Sequence, residues 1–577
     1  MKSVPFADIR VRGELAVRSG LNYTRLEGDW YRPDEVFKAD SHGWPGDWEG
    51  RVVLALTLLE QSTHRTSAYL EEIIRLIPEH LNERGYLGPM LPPKRFDEQH
   101  FGGHSWMMRA LAEYYAYKQK PDTLALLRRM VDGFLMPAKG YFSQYPIEPM
   151  SRFDRQDVWI LSKLQTKTLH HAETSDAGCV FIMIDGASAA YAVDPHPELR
   201  EVIDEMIDRF MEIDLEALHI QTHATLSATR GILRMYELTN EPRYLDMAVG
   251  RYALYRDAAW TEAYGNYNWF GAPRWTEPCA IVDSYMVAIT LWKHLRNSDY
   301  LHDAHLIYYN ALSHSHRING SLGSDRCSGA HDIEDTLFLA PINYETYWCC
   351  TMRGGEGFSR AIEYCYFIDG NDVYVPTYHP NEATLRLDVG ALCLTLDTRY
   401  PYDGDVRIMV TASTLGSPAT IKLFVPRWAS DVVVTLNEAP MLSDLEQGFI
   451  SVTSAFRPGD VIALQTDTRV RVEKAFAHSI GGIHKFMFGP MLLGRKTAVA
   501  DNSLEGNRFE NYAESRFKAA DAVSLPKEAD IRRMGDCEFA VQGTDIVLTT
   551  LCSVRDMTRE DTMRQVLFNV SAMKVKE

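Results

Sequence analysis

Four residues carry most of the chemistry that this sequence can offer. Cys349 and Cys350 are adjacent, and Glu277 and Cys279 lie about seventy positions earlier. If the two segments meet in space, three thiolates and one carboxylate are enough to close a tetrahedral zinc site. One sulfur would still be able to act as a nucleophile. This combination predicts an enzyme.

The cysteine pair also has a purely structural interpretation. Structural zinc sites usually space their ligands by roughly two to four residues, which adjacent cysteines do not. The context favours chemistry, because the pair precedes a Gly-rich segment that enters a predicted helix, whose N-terminus would stabilise a thiolate. The other six cysteines are predicted to be small buried apolar residues: Cys179, Cys327, Cys365, Cys393, Cys537 and Cys552.

The size and charge of the chain limit its class. Its 577 residues, 46 % of them hydrophobic, are enough for roughly two to four domains with their own cores. A net charge of −18 argues against a nucleic-acid partner. The start lacks the pattern of a signal peptide and no apolar run reaches membrane-spanning length, which predicts a cytoplasmic protein with no membrane partner. Nine cysteines in so long a chain predict reduced thiols.

From about residue 45 to 365 the apolar residues recur with helical spacing. The pattern repeats: a helix ends in an aromatic residue, a polar turn follows, and a second helix begins around Leu or Tyr. Four such pairs are Tyr115 with Leu124, Tyr191 with Leu199, Tyr236 with Tyr244, and Trp292 with Tyr300. One hairpin cannot bury its own apolar stripe, so several must stack. A closed toroid is favoured over an open helical solenoid, because the spacings are irregular and the connections long.

Past roughly residue 370 the apolar period changes from helical to strand-like. Segments rich in β-branched residues alternate with Gly, Pro, Asn and Asp turns, which is typical of β-sandwiches. The sequence therefore predicts a multidomain α+β protein. It has an (α/α)6 toroid catalytic domain over residues 1–370, a β-sandwich domain over 371–475, and a second β-sandwich or barrel-packing β domain over 476–577.

Several short motifs follow one another in a characteristic order. Glu277-x-Cys279 precedes an apolar helix, Cys349-Cys350 precedes a helix ending near Cys365, and His104 and His223 lie at predicted helix starts. The β region adds Tyr400-Pro-Tyr402-Asp-Gly404, Val425-Pro-Arg-Trp428, Pro458-Gly-Asp460 and Phe488-Gly-Pro490. Over roughly residues 10 to 495 this series resembles glycoside hydrolase family 127, the β-L-arabinofuranosidase group with a cysteine nucleophile beside a zinc ion.

The resemblance implies a role for each of the chemical residues. Glu277, Cys279 and Cys350 would hold Zn²⁺, and Cys349 would be the nucleophile, itself at or near the metal. The family's acid/base is a glutamate ahead of the zinc-binding glutamate, and Glu262 matches that description. Without the resemblance, Glu262 reads as an ordinary surface carboxylate.

Six residues are predicted to contact the substrate: His104, His223, Trp260, Tyr264, Tyr347 and Arg353. The two histidines could point into the mouth of a toroid and bind sugar hydroxyls. Carbohydrate sites favour aromatic walls that can also donate hydrogen bonds. Arg353 could recognise a carboxylated sugar through a bidentate contact.

Two departures from the family pattern flank the predicted sugar site. Thr351 follows the cysteine pair where the family usually has Pro, and Pro278 stands where a small polar residue is commoner. Because these changes flank the sugar-binding region, the sequence indicates the class of reaction more specifically than the identity of the sugar. The sequence predicts a retaining exo-glycosidase for a small furanoside, such as a β-L-arabinofuranoside. The predicted partner is a small carbohydrate or oligosaccharide, and the sequence is compatible with a homo-oligomer.

Three alternatives remain open. The first is another toroid enzyme, a sugar epimerase or an unsaturated-uronide hydrolase, which would need no zinc. The second is a non-catalytic carbohydrate-binding relative with a structural zinc. The third is a helical-repeat scaffold.

Overall fold

A computed structural model describes most of the chain. The described residues are 1–38, 43–91, 96–145, 147, 166–167, 171–173, 177–271, 273, 275–329, 337–441, 444–476, 482–498, 522–526, 530–559 and 562–571. They form a ring of paired helices followed by three large β-sheets.

The ring has an inner layer of six helices within the described residues. Each inner helix packs against the next, and the sixth packs against the first, so the ring is closed. These inner helices are Asp47–Thr63, Glu98–Lys118, Met183–Val193, Thr222–Thr239, Pro278–Leu295 and Cys350–Glu363. Their residues are buried on nearly every side, as expected of helices enclosed by others.

Each inner helix has an outer partner. In ring order these are Leu70–Leu76, Pro121–Met130, Pro197–Met211, Pro242–Ala258, Asp299–Leu306 and Gly13–Leu26. The last outer helix comes from the start of the chain and completes the final pair. The aromatic residues predicted to end helices all lie near the C-termini of inner helices, so the predicted hairpins and the (α/α)6 toroid are confirmed.

Local sequence explains how the hairpins turn. The inner helices Glu98–Lys118 and Thr222–Thr239 end at Gln119 and Asn240, which adopt the left-handed conformation with φ of 53° and 56°. This conformation closes a helix and reverses the chain. The outer helices then begin at Pro121 and Pro242, because proline at the first helical position has no amide hydrogen to lose.

Glycines let the inner helices approach one another closely. A Cβ at Gly50 would lie 2.4 Å from the backbone nitrogen of Met107, and one at Gly231 would lie 2.6 Å from the carbonyl carbon of Ile184. Only glycine is compatible with such contacts between backbones. The approach at Gly50 brings Arg51 against Trp106, which matters for the site below.

Two sheets follow the ring. In spatial order, the five-stranded sheet contains Lys2–Ser3, Phe367–Asp369, Asp372–Val375, Ala419–Phe424 and Phe449–Ser454. The seven-stranded sheet contains Ala439–Pro440, Ser430–Leu436, Val461–Asp467, Val406–Ser413, Gly390–Thr398, Asn381–Leu387 and Ile9–Val11. Strand residues alternate between buried and exposed in Asn381–Leu387 and Val406–Ser413, as in sheets with one solvated face.

The third sheet has ten strands among the described residues. Seven lie in the order Leu525–Pro526, Phe568–Ser571, Ile483–Phe488, Met491–Ala498, Val547–Thr550, Glu538–Val541 and Ile531–Arg533, and Val470–Lys474, Thr562–Gln565 and Phe338–Leu339 pair alongside. Short sheets elsewhere join Phe96–Asp97, His171–Glu173 and Thr166–Lys167, and join Ser324–Asp325 to Pro341–Asn343.

The chain thus has the predicted toroid followed by sheet domains. The predicted limits 1–370, 371–475 and 476–577 stay predictions, but several segments of the first range belong to the large sheets. Lys2–Ser3 and Ile9–Val11 belong to the first two sheets, and Phe338–Leu339 pairs with the third. In the described part of the chain, no helix combines the length and the hydrophobicity needed to cross a membrane.

Candidate functional site

The N-termini of the inner helices create the setting of the site. All six inner helices point the same way, because an outer helix returns the chain between successive members. Helix N-termini carry partial positive charge and unpaired N–H groups. Thiolates and carboxylates are therefore stabilised at this end of the ring.

Three cysteines meet at this end. Cys279 lies in the first turn of Pro278–Leu295, Cys350 begins Cys350–Glu363, and Cys349 is the residue just before it. The Cys279 and Cys350 sulfurs are 3.5 Å apart, and those of Cys349 and Cys350 are 3.3 Å apart. Cys279 and Cys350 are buried, whereas Cys349 is partly exposed. The two remote segments do meet, as the sequence predicted.

Glu277 and His223 adjoin the cysteines. Glu277 precedes the helix that carries Cys279, and His223 is the second residue of Thr222–Thr239. His223 Nδ1 lies 3.3 Å from Glu277 Oε1. One ligand atom each from His223, Glu277 and Cys279 lies within 4.8 Å of the others, as does one from each of the three cysteines. These five residues, Glu277, Cys279, Cys349, Cys350 and His223, are called the thiol cluster below.

The donor atoms of the thiol cluster fit a zinc ion. Zinc sites combine thiolate, imidazole and carboxylate ligands. With Zn–S bonds of about 2.3 Å, tetrahedral geometry puts sulfur ligands roughly 3.8 Å apart. The observed separations of 3.5 and 3.3 Å are slightly shorter, so only small shifts separate this arrangement from a zinc-binding one.

The three thiols differ in acidity. Burial disfavours the Cys279 thiolate, but hydrogen bonds from Cys349 and Cys350 and the charge of Arg51 outweigh it and put the pKa of Cys279 well below its usual value. Arg51 Nη1 lies 3.3 Å from the Cys279 sulfur. Burial and the neighbouring thiols raise the pKa of Cys349 and that of Cys350 well above the usual value. Cys279 is therefore the first thiol to ionise.

Glu277 and His223 hold a proton between them more firmly than either would alone. Burial raises the pKa of Glu277, and the nearby His223 offsets only part of that increase. Burial lowers the pKa of His223, but the charges of Glu277 and Cys279 outweigh it and leave the pKa raised. Protons on these groups therefore compete with any cation that binds there.

Trp106 packs beneath the thiol cluster, against the side chains of Arg51, Arg353 and His223. The guanidinium carbons of Arg51 and Arg353 lie 4.1 and 4.5 Å from its ring centroid. The His223 ring stacks on it with centroids 5.7 Å apart and an interplanar angle of 16°. Arg51 is also paired with Asp47 at 2.8 Å on the same helix. The sequence predicted neither the Arg51–Cys279 contact nor the role of Trp106.

A buried ion network lies deeper between the inner helices. It joins three carboxylates to four guanidinium groups: Asp185, Asp283 and Glu356 with Arg109, Arg230, Arg234 and Arg353. These seven residues are called the arginine network below. The sequence did contain a signal of this network. Asp283 is an acidic residue inside the apolar helix Pro278–Leu295, and a buried charge needs partners.

Arg353, predicted to contact the substrate, belongs to this network. Its side chain is 1 % exposed and pairs with Asp283 and Glu356. The guanidinium neutralises buried carboxylates, and the predicted contact with a carboxylated sugar stays a prediction.

His104 is likewise occupied. Its Nδ1 lies 2.8 Å from the carbonyl of His100, and its Nε2 accepts the backbone N–H of Leu87 at 3.1 Å. Burial lowers its pKa to about 3. Both ring nitrogens bind backbone groups, so His104 supports the fold, and its predicted contact with sugar hydroxyls stays a prediction.

Glu262 is neither a surface carboxylate nor an open catalytic group. It is fully buried, and its oxygens accept from Lys485 Nζ at 3.0 Å and from the backbone N–H of Phe476. The loop that carries it is tied to the cluster, because Asn266 Oδ1 accepts the backbone N–H of Glu277 at 3.2 Å. Its predicted role as acid/base stays a prediction.

The three predicted aromatic contacts fall into two groups. Trp260 and Tyr264 are each 2 % exposed and pack around Phe476, next to the ten-stranded sheet. Tyr347 instead stacks on Trp30, with centroids 4.6 Å apart, two residues before Cys349. Trp30 is 41 % exposed, so this stack reaches the surface near the thiol cluster.

Comparisons with known proteins agree with this architecture. Residues 372–468 match the family model of the GH127 β-L-arabinofuranosidase middle domain, and they lie in the first two sheets. A solved GH127 β-arabinofuranosidase superposes with a TM-score of 0.67 at 13 % identity, covering 99 % of this chain and 98 % of its own. A GH127 β-L-arabinofuranosidase from Geobacillus stearothermophilus T6 gives 0.67 at 12 %, covering 98 % and 100 %. A third structure, described as a glycoside hydrolase, gives 0.68 at 13 %, covering 99 % and 97 %.

These likenesses show a shared fold that extends over nearly the whole chain. A search of curated proteins finds no match. The middle-domain match over residues 372–468 confirms the resemblance to glycoside hydrolase family 127 that the sequence predicted.

Proposed function

We propose that the protein is a retaining exo-glycoside hydrolase that cleaves a small furanoside, such as a β-L-arabinofuranoside, with Cys349 as nucleophile. The observation that carries the proposal is the convergence of Cys279, Cys349 and Cys350 beside Glu277, at the N-terminal end of a GH127-like toroid. The matched family and one of the neighbouring structures are described as β-L-arabinofuranosidases, which supports the choice of sugar.

Zinc is the cofactor that this donor set fits. Glu277, Cys279 and Cys350 would hold the ion, with Cys349 at or near it. Bound zinc would keep the sulfur of Cys349 ionised at neutral pH and would make that sulfur a better leaving group. The raised pKa of Cys349 in the protein alone explains why such a cation is needed.

Cys349 is the best placed of the three sulfurs to attack carbohydrate. It is partly exposed, whereas Cys279 and Cys350 are buried. It also stands at the N-terminus of Cys350–Glu363, where the helix dipole favours a thiolate. Its sulfur would attack the anomeric carbon and displace the aglycone oxygen, and water would then release the sugar from the sulfur, so the configuration is retained.

Glu262 is the proposed acid/base, and its contacts define what that role requires. The group must protonate the departing oxygen and later take a proton from water. Its carboxylate is paired with Lys485 Nζ at 3.0 Å, so Glu262 would have to exchange that contact for the substrate before acting on it. The loop 260–266 is the segment that would have to move.

A panel of nitrophenyl glycosides tests the proposed activity, with and without a zinc chelator. We expect hydrolysis of a furanoside that the chelator abolishes and added zinc restores. Cys279→Ala should lose zinc and activity together. Activity that survives complete removal of metal would refute the cofactor assignment.

Leaving groups of different acidity test Glu262. Removing a general acid slows substrates with poor leaving groups most, by about 10²–10⁴-fold. Relative to the unchanged protein, Glu262→Gln should therefore lose much activity on nitrophenyl glycosides, which have the poorer leaving group, and much less on dinitrophenyl glycosides. Lys485→Met is the matched variant that removes the partner but keeps the carboxylate. An equal loss on both substrates in Glu262→Gln would contradict the assignment.

A further inference from the structure

A cavity lies where the ring meets two of the sheets. Four parts of the chain line it: the start of the outer helix Gly13–Leu26, the segment 308–313, strand ends of the seven-stranded sheet within 379–402, and strand ends of the ten-stranded sheet within 536–555. Ligand pockets occur preferentially at such domain boundaries. The cavity volume is about 200 Å³. This is the volume of about seven water molecules at roughly 30 Å³ each, close to that of one monosaccharide.

The cavity is separate from the thiol cluster. Its wall includes Glu14 and Arg18, in the first turns of Gly13–Leu26. Nearer the other end of that helix, Asn22 Nδ2 bonds to the carbonyl of Thr351, next to the cysteine pair. At about 1.5 Å per residue, Glu14 and Asn22 are about 12 Å apart along the helix. None of the described residues that line the cavity belongs to the thiol cluster.

The floor of the cavity carries polar groups that lack hydrogen-bond partners. The Tyr309 hydroxyl is buried and bonds to no other described residue. The His379 ring packs against Tyr308 and Tyr309 at centroid distances of 5.1 and 6.3 Å, and the described residues give its nitrogens no hydrogen bond. Burial lowers the pKa of His379 to about 3, so the neutral ring offers one donor and one acceptor. A ligand with hydroxyl groups would satisfy both residues.

The charged side chains of the wall are already bonded or lie in solvent. Arg18 donates to two backbone carbonyls. Glu14 accepts a tyrosine hydroxyl at 2.8 Å, and Arg399 pairs with Asp536. Arg555 is exposed, so solvent screens its charge. No described charge of the wall is both buried and without a hydrogen-bond partner, which favours a neutral ligand over an ion.

Aromatic rings complete the floor. Tyr308 and Tyr309 meet edge to face with centroids 5.0 Å apart, and Tyr400 packs against Tyr309 at 5.5 Å. Aromatic faces beside hydrogen-bonding groups suit carbohydrate, since a sugar has both C–H and O–H surface. We propose that this cavity binds a neutral monosaccharide unit, a pentose or a hexose, as a carbohydrate site separate from the thiol cluster.

Alkylation of Cys537 in the full chain tests the proposal at the site itself. Cys537 lines the cavity and is partly exposed, so iodoacetamide can reach it at mildly alkaline pH. Peptide mass spectrometry measures its modification separately from that of the other cysteines. The probes are L-arabinose, D-xylose and D-glucose at up to about 100 mM, because a ligand of about ten heavy atoms binds in the millimolar range.

We expect at least one of these sugars to slow the modification of Cys537 by about threefold or more, as mass action requires of a mostly occupied site. Cys393 is the internal control, because it is also partly exposed but does not line the cavity. Its modification should have the same rate with and without sugar. Phenol is the comparison ligand, since it offers an aromatic ring but only one hydroxyl.

Two substitutions remove the unpartnered groups and keep the rings. Tyr309→Phe deletes a buried hydroxyl without a described partner, so the variant should be at least as stable as the unchanged chain. It should weaken the sugar affinity measured by protection of Cys537 by about 2- to 10-fold, the effect of one neutral hydrogen bond. His379→Phe should weaken it at least as much. Tyr285→Phe is the matched control, because the Tyr285 hydroxyl is also buried and unpartnered but does not line the cavity.

Protection of Cys537 by a sugar, weakened in Tyr309→Phe and His379→Phe and kept in Tyr285→Phe, would support the inference. It would be overturned by a lack of protection from all three sugars, by equal protection from phenol, or by protection that both cavity variants retain in full. Cys349→Ala should keep the protection, because the cavity does not include the thiol cluster. The result is therefore independent of whether the thiol cluster hydrolyses a glycoside.

Discussion

Two neighbouring groups of charged residues lie between the inner helices, and they differ in how their buried charges are balanced. In the arginine network, the single carboxylate of Glu356 pairs with three guanidinium groups, those of Arg109, Arg230 and Arg353. Every described carboxylate of this network has a guanidinium partner. In the thiol cluster, three thiols and a carboxylate adjoin the cations Arg51 and His223, and the described residues do not provide a guanidinium partner for each acidic group. The network is closed, and the cluster has room for another positive charge.

The contrast shows how structural and functional charges differ at similar burial. A buried ion pair that is fully matched holds its helices in one register, but offers no group for chemistry. A buried excess of potential anions is unstable unless protons or a cation compensate it. Asp283 connects the two, because it belongs to the network and also lies 3.5 Å from His223.

The largest effect expected in the cluster is on turnover. Cys349→Ala should reduce kcat by about four orders of magnitude or more, since a missing nucleophile is rarely replaced. Circular dichroism should show an unchanged fold. Cys393→Ala is the control, because Cys393 is also partly exposed but lies in the β-sandwich strand Gly390–Thr398. Substantial turnover in Cys349→Ala would transfer the nucleophilic role to another residue.

The largest effect expected in the network is on stability. Glu356→Ala leaves buried guanidinium groups without their carboxylate, which should cost about 3–5 kcal/mol in the free energy of unfolding. Chemical denaturation measures it, with zinc content followed in the same samples. Glu113→Ala serves as control, since Glu113 pairs with Arg360 on the partly exposed outside of the helices. A loss below 1 kcal/mol, on the order of a surface pair, would remove the distinction between network and surface.

A smaller effect should distinguish the cluster through pH. Burial and the neighbouring thiols raise the pKa of Cys349 and Cys350, so both sulfurs are protonated at neutral pH and a cation must displace those protons. Zinc affinity should therefore rise with pH, by about 10- to 100-fold per unit for one to two protons released. Competition with a chelator between roughly pH 6 and 8 measures it. A flat profile would mean that these thiols are not displaced by the metal.

The fold was largely predictable because its signals are local and repeated. Apolar spacing, aromatic helix ends and the change of period near residue 370 each act within a few residues, and they indicated the toroid and the sheets that follow. The pairing of Lys2–Ser3 and Ile9–Val11 with distant strands was not predictable, because nothing in such short segments encodes a partner more than 350 residues away.

The sequence indicated the convergence of the thiol cluster because its residue chemistry is rare, and it indicated less where the residue types are common. Cysteines with a nearby glutamate are unusual enough to indicate a metal site. Histidine and arginine serve many purposes, so sequence alone could not show that His104 binds backbone groups or that Arg353 completes a buried ion network. Lys485, which pairs with Glu262, lies in the ten-stranded sheet, and that contact depends on how the sheet packs against the ring.

The zinc content of the purified protein is the most direct test that the thiol cluster is a metal centre. Elemental analysis of the wild-type chain, Cys279→Ala and Glu356→Gln should be made after the same dialysis against a zinc-buffered solution. The account predicts one zinc ion per chain in the wild type and in Glu356→Gln, and none in Cys279→Ala. A wild-type chain without zinc, or a Cys279→Ala chain that keeps it, would contradict the account.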